Sequence, residues 1–316
     1  MKIMITGGSS MIGSSIAETY KAAGYTVDTV PHNECDLLDY KQVYKRVIDF
    51  GPNVVIHAAG WNGGISWNKQ FPATIYQRTV QMAINLYTAI AESNYHVDKV
   101  VGILASCSYP DLGDKELYPN MLEDGLPNST VECHGLAKRT IFDYGRQLHK
   151  QYGTKFVSAV LTNSFGPGDS YHPDKTKVVG ALIRKIVEAK NGGLDKIVCW
   201  GSGAPKRQLI YSKDVGPIVA KIAEVYDNCF LPINIGSPHE VTIKDLTYLI
   251  ADAVGYDGMI DWDITKPDGQ MRKFINIDSM LMVCDDVKFT PLKDALYETI
   301  NWYLDNKELA DAKTSK

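Results

Sequence analysis

Four side chains in this sequence have the chemistry to move protons if a fold brings them together: the thiol of Cys107, the imidazoles of His134 and His172, and the amine of Lys138. Cys107 follows the apolar run Val100–Leu104 through Ala105 and Ser106, so a short buried strand should end beside a thiol. His134 and Lys138 lie four apart in a helix-like segment, which puts them on one helical face where they can act as a pair. His172 stands in a Gly/Pro-rich loop, and loops leaving the carboxyl edge of a sheet collect functional groups. Each residue also has a plainer reading. A thiol after a buried strand is often a small core residue, a His and Lys at helical spacing often make a solvated face, and a loop His is often only a surface residue. The elements that must position them favour chemistry.

Lys2–Ile5 reads as a short strand, followed by Thr6-Gly7-Gly8-Ser9-Ser10-Met11-Ile12-Gly13 and an amphipathic run through Ala22. Strand, Gly-rich turn and helix form the arrangement in which backbone N–H groups and a helix N-terminus face the pyrophosphate of a dinucleotide. Gly7 and Gly13 hold the outer positions of a GxxGxxG pattern, with Ser10 at the middle one. A structural turn is the alternative. A second strand, Tyr25–Val30, leads to Pro31-His32-Asn33. An acid ending this strand would hold the ribose of NAD, and a cation there would favour the 2'-phosphate of NADP. Asp28 counts as mid-strand and His32 is the one nearby group able to carry positive charge, which leans to NADP and leaves NAD open.

Asp36-Leu37-Leu38-Asp39 starts a helix, and Asn53–Gly60 is a buried strand ending in small residues that let a cofactor lie on the sheet edge. A helix over Ile75–Asn94 and strands over Lys99–Leu104 and Phe156–Leu161 follow. This alternation predicts an α/β, Rossmann-like doubly wound parallel sheet with ligands at the carboxyl ends of its strands. The stretch Thr162–Pro173 marks the crossing into a smaller C-terminal lobe, dividing the chain into 1–165 for the dinucleotide and 166–316 mainly for substrate, with part of 208–235 returning to the first. A helix spans Val178–Lys190. The turns Trp200–Arg207 and Lys266–Lys273 each combine cations with Gly or Pro. Either alone could be an exposed basic turn, but two in an acidic chain point to an anionic ligand. The tail Asn306–Lys316 is polar and expected to fray.

With 316 residues, 45% hydrophobic and 22% charged, the chain can bury a full core and form two lobes. A net charge of -4 leaves no basic stripe for nucleic acid. The N-terminus enters a strand without a signal peptide, and no apolar run approaches membrane-spanning length, so no membrane partner is expected. Six Cys without a CxxC pair or metal-ligand spacing fit a reducing cytoplasm and no metal.

The chain resembles the extended short-chain dehydrogenase/reductases, and among them the 3,5-epimerase-4-reductases of GDP-4-keto-6-deoxy-D-mannose, the GDP-L-fucose synthase family. The resemblance runs from about Lys2 to Tyr303 and is carried by Ser106-Cys107-Ser108-Tyr109-Pro110, Thr162-Asn163, Phe165-Gly166-Pro167, Tyr171-His172-Pro173, Trp200-Gly201-Ser202-Gly203 with Pro205 and Arg207, and Lys266-Pro267-Asp268-Gly269 with Arg272-Lys273. It implies NADP, a GDP-linked sugar and a homodimer pairing through helices around 75–94 and 134–152. Cys107 and His172 would exchange protons at C3 and C5 of a 4-keto sugar. It implies cofactor contacts at Gly7, Ser9, Ser10, Met11, Ile12, Gly13, His32, Asp36, Leu37, Ala58, Ala59, Gly60, Lys138 and Asn163. Substrate contacts are implied at Asn163, His172, Val178, Trp200, Arg207 and Lys266. The reductase set departs from the family: Lys138 matches its Lys, but His134 stands at the Tyr position and Ala105 at the Ser position. Ser106 is the adjacent stand-in, expected on the opposite face of the strand. Full activity through His134, epimerisation alone, and silent binding of a nucleotide sugar are the readings this leaves.

Overall fold

Short apolar runs buried on both faces account for the central sheet of the computed structural model, which describes residues 1–93, 95–173, 175–266 and 268–312. β1 (Lys2–Thr6) is buried over its last four residues and turns through Gly7 into α1 (Met11–Ala22). β2 (Thr26–Asp28), α2 (Tyr40–Phe50), β3 (Val54–His57), α3 (Ile65–Gln70), α4 (Pro72–Glu92), β4 (Lys99–Ala105), α5 (Glu132–Tyr152) and β5 (Lys155–Leu161) follow. Asp39 caps α2 by accepting from the Lys41 and Gln42 N–H groups, so the acids at 36–39 precede the helix as its cap.

Beyond β5 the chain forms β6 (Asn163–Phe165), α6 (Val178–Asn191), β7 (Lys196–Trp200), β8 (Lys206–Tyr211), α7 (Ser212–Val225) and β9 (Ile233–Ile235). It ends with β10 (Glu240–Thr242), α8 (Ile243–Val254), β11 (Met259–Asp263), β12 (Arg272–Lys273), α9 (Asp278–Val283), α10 (Leu292–Asp305) and α11 (Lys307–Ala312). The main sheet has the order β2-β1-β3-β4-β5-β9, every pair parallel. The order reverses between β1 and β3, and a doubly wound sheet opens a ligand crevice at such a switch point. A smaller sheet sets β10 and β12 on either side of β8, which also pairs β6; β7 pairs β11.

One apolar core surrounds the main sheet and takes in Val215, Ile218 and Ile222 of α7, Ile233 and Ile235 of β9, and Ile275, Ile277, Met280 and Cys284 around α9. A second core gathers α6, α8 and α10. Gln208, fully buried in β8, donates to the carbonyls of Ser237 (2.8 Å) and Ile275 (3.2 Å) and accepts from the Ile275 N–H (3.2 Å). One amide thus ties a strand of the smaller sheet to Ser237 and to Ile275 of the first core.

The tail does not fray over residues 307–312. They form α11, where Ala310 is fully buried in the second core and its carbonyl accepts from the Tyr171 N–H (3.0 Å). Asn94, expected to end a helix, Pro267 of the second cationic turn, and 313–316 of the tail lie outside the described residues. Among the described residues, no helix is long and apolar enough to cross a membrane.

Candidate active site

At the switch point Gly7 has φ 72°, and a Cβ there would stand 2.8 Å from the Ala59 backbone. Only glycine lets β1 turn so close to the chain leaving β3. Ser10 is the N-cap of α1 and its Oγ accepts from the Gly13 N–H (3.1 Å). The residue departing from the glycine pattern therefore serves the helix itself, while the first turn carries no acid to repel an anion. Thr6 Oγ1 and His57 Nδ1, 2.7 Å apart, join the ends of β1 and β3. This cradle fits the diphosphate of a dinucleotide.

At the end of β2 the structure corrects two expectations. Asp28 is the last strand residue, not a mid-strand one, because Val30 has φ 43° ahead of Pro31; a β-branched residue rarely adopts that conformation and the strand cannot continue. His32 is exposed and is not the sole nearby group able to carry positive charge. Arg46 of α2 donates to both carboxylate oxygens of Asp28 (2.7 and 2.8 Å) and to Glu34 (3.0 Å). The Val30 N–H adds a third bond to Asp28 (3.0 Å).

The chemical groups meet beyond β4. That strand stops at Ala105, and a 3-10 turn over Ser106–Ser108 presents Cys107 half-buried. Strand alternation therefore ends at Ala105 and does not assign Ser106, itself buried, to the opposite face. α5 lies directly on this turn: a Cβ at Gly135 would stand 2.2 Å from the Cys107 carbonyl oxygen. One residue before, His134 is 5% exposed, and one turn later so is Lys138. Lys138 Nζ donates to the Ile103 carbonyl (2.8 Å) and reaches the Ala59 carbonyl (3.5 Å). Burial pushes its pKa down to about 8. His134 is held well below the usual imidazole range, first by burial and then by Lys138, Lys177 and Lys273. Asn62 Nδ2 lies 3.1 Å from His134 Nε2, and Nδ1 is buried without a partner.

From this cluster a line of cations runs outward. Lys273 in β12 sits beside Arg207 in β8, paired in register, and burial lowers the pKa of both. A Cβ on Gly269 would stand 3.4 Å from Arg207 Nη2. Asp268, next to it, accepts from the Ser202 N–H (2.9 Å) and Oγ (2.7 Å), which fastens the two polar turns together. At the outer end Lys266 Nζ lies 5.8 Å over the ring of Trp200, itself 72% exposed.

Cys107, His134 and Lys138 thus come together, with Arg207 joined to them through Lys273. His172 lies in the loop between β6 and α6, whose far end carries Lys177 into range of His134 and Lys138. Val178 opens α6 and Asn163 opens β6, both half-buried. Leu37 lies in the main core and its carbonyl accepts from Asn85 (2.9 Å). Asp36 accepts from the Leu38 N–H (3.0 Å) in its own turn. Ser9 and Gly60 are exposed, Ile12 and Ala58 half-buried, and Met11 and Ala59 buried around the cradle. Arg272 is engaged by Glu240 in three bonds of 2.8–3.0 Å and stays a structural cation. Asn62, Lys177 and Arg46 were not singled out by sequence reasoning; their partners lie in other elements and no local spacing marks them.

The chain belongs to the NAD dependent epimerase/dehydratase family, whose sequence pattern matches residues 3–236. Its curated relatives include a probable GDP-L-fucose synthase 1 of Oryza sativa subsp. japonica, 32% identical over 96% of this chain and 92% of that protein. Another is a GDP-L-colitose synthase of Yersinia pseudotuberculosis, 30% identical over 97% and 99%. Among solved structures, a GDP-L-fucose synthetase from Naegleria fowleri bound to NADP superposes with a TM-score of 0.90 at 27% identity, covering 98% of this chain and 94% of that one.

Proposed function

We propose that this chain is an NADP-dependent epimerase/reductase of a GDP-linked 4-keto-6-deoxyhexose. The observation that carries the reading is the cluster in which Cys107, His134 and Lys138 adjoin the dinucleotide turn, with Lys273 and Arg207 leading out to Trp200 and Lys266. The relatives named GDP-L-fucose synthase and GDP-L-colitose synthase support the same substrate class.

A proton beside a ketone is acidified because its removal gives an enolate, so the first stage needs acid/base groups and a way to stabilise the oxyanion. Cys107 and His172 are the proton carriers in this reading. Lys273 and Arg207 hold the diphosphate, and Trp200 with Lys266 faces the base. Lys138 turns from the Ile103 carbonyl to hold the nicotinamide ribose. Both oxygens of Asp28 are engaged by Arg46, which sets a cation at the end of β2 and favours NADP. When bound, the cofactor would supply the hydride for C4, and His134, at the position of the family's Tyr, would give the C4 oxygen its proton.

Ala105 and the neutral His134 favour a second reading, epimerisation without reduction. Losing one oxyanion donor typically costs about 100-fold or more, and a neutral imidazole is a poor acid. Both readings place the chain in the cytoplasm as a homodimer through α4 and α5, and gel filtration with light scattering tests the latter. The deciding experiment incubates the protein with GDP-4-keto-6-deoxymannose in deuterated water, with and without NADPH, following ring-proton loss by NMR and NADPH absorbance together. Deuterium entry with NADPH oxidation is the expected result. Deuterium entry alone establishes the second reading, and silence in both channels refutes the substrate assignment.

A further inference from the structure

We propose that Asn62 is a positioning residue that fixes His134 as its Nδ1–H tautomer, so that the imidazole donates a hydrogen bond to the carbonyl oxygen of the substrate and to the enolate formed from it. The proposal rests on the reading that a ketone is enolised at this cluster. An amide nitrogen can only donate. With Asn62 Nδ2 at 3.1 Å, the hydrogen bond forms when His134 Nε2 presents its lone pair. A neutral imidazole with a lone pair at Nε2 carries its proton at Nδ1. That nitrogen is buried and has no protein partner, an arrangement that a ligand oxygen would complete.

Asn62 stands between neighbours that are tied on both sides. The Trp61 N–H and carbonyl each bond the Thr79 hydroxyl of α4 at 3.3 Å. Buried Asn68 donates to the carbonyls of Gly63 (2.9 Å) and Gly64 (2.8 Å). The charges acting on His134 are Lys138 on its own helix, Lys177 at the start of α6 and Lys273 in β12. Together with burial they keep the ring neutral, the state in which a single nitrogen carries the proton. During enolisation no proton leaves His134. The proton taken from carbon goes to Cys107 or His172 and returns from them, while Nδ1–H stabilises the charge on oxygen.

The test is to label the histidines with 15N and record long-range imidazole spectra in the wild type and in Asn62→Asp, with His134→Gln assigning the signal. The expected wild-type signal is that of a neutral Nδ1–H ring at pH 7. Asn62→Asp, close in shape but an acceptor, should turn it to Nε2–H and raise its pKa. Deuterium incorporation into GDP-4-keto-6-deoxymannose should then fall in kcat by about 100-fold with little change in KM. A wild-type ring protonated at Nε2, or a tautomer unmoved in Asn62→Asp with the melting temperature retained, overturns the proposal. If the tautomer turns as expected but the wild type itself exchanges no deuterium, the role of Asn62 in setting the ring stands and the ketone reading falls.

Discussion

Replacing Gly135 with Ala should stop proton exchange while leaving the protein folded. The added Cβ would stand 2.2 Å from the Cys107 carbonyl oxygen, against 3.4 Å for the tightest ordinary contact, so α5 and the 3-10 turn must part by about 1.2 Å (3.4 − 2.2). The helix cannot simply slide, because Pro127 Cβ and Cγ already stand 3.0 Å from the same point. Overpacking of this kind costs about 1–3 kcal/mol, and Ala in place of Gly returns about 1 kcal/mol of helix propensity. The net loss is about 0–2 kcal/mol, a few degrees in melting temperature for a chain of this size. Activity should suffer far more, since a displacement of about 1 Å in an active site can cost on the order of 100-fold. Calorimetry and deuterium incorporation into GDP-4-keto-6-deoxymannose, run on the same preparation, separate the two effects. Wild-type exchange by Gly135→Ala would show that contact between α5 and the Cys107 turn does not set the catalytic geometry.

The pKa of about 8 at Lys138 means its ammonium is present below that pH and lost above it. NADPH oxidation should therefore decline above about pH 8, and Lys138→Met should weaken NADP binding at least tenfold in a titration by fluorescence. His57 is pushed down to about 3 by burial, with Lys138 adding to it, against about 6.5 in an unfolded chain. The unfolded state takes up its proton first as pH falls, so this contribution is full above about pH 6.5 and is lost between there and 3. Urea unfolding of His57→Asn should show a shallower fall in stability than wild type across that window. Arg46→Ala would leave the Asp28 carboxylate, whose side chain is 6% exposed, without its cation; a loss of about 3 kcal/mol is expected. The double change with Asp28→Asn should recover part of it.

The sheet was legible because its strands are short, continuous apolar runs that local patterning alone defines, and the glycine turn because its conformation is local too. Cys107, His134 and Lys138 were visible for the same reason: one follows a buried strand, and two share a helical face. Asn62 was not, because its meaning depends on a partner 72 residues away. Asp28 was misjudged because the strand ends through the backbone of Val30, a feature no side-chain alternation reveals. Lys273 lay inside a motif already noted, but neighbouring Arg272 looks identical in sequence. Only the register of β12 against β8 separates the cation bound by Glu240 from the one beside Arg207.

The last strand of the main sheet has a consequence for the order of events on the ribosome. β5 ends at Leu161, but the strand that covers its edge, β9, is not made until Ile235. At about 5–20 residues per second, the nascent chain waits roughly 4–15 s with that edge unpaired, and longer before Met280 and Cys284 arrive to seal the same core. An open apolar edge is a template for unwanted pairing. Holding chaperones should therefore engage the growing polypeptide chiefly between the emergence of β5 and that of α9, and codon changes that slow translation there should lower its soluble yield.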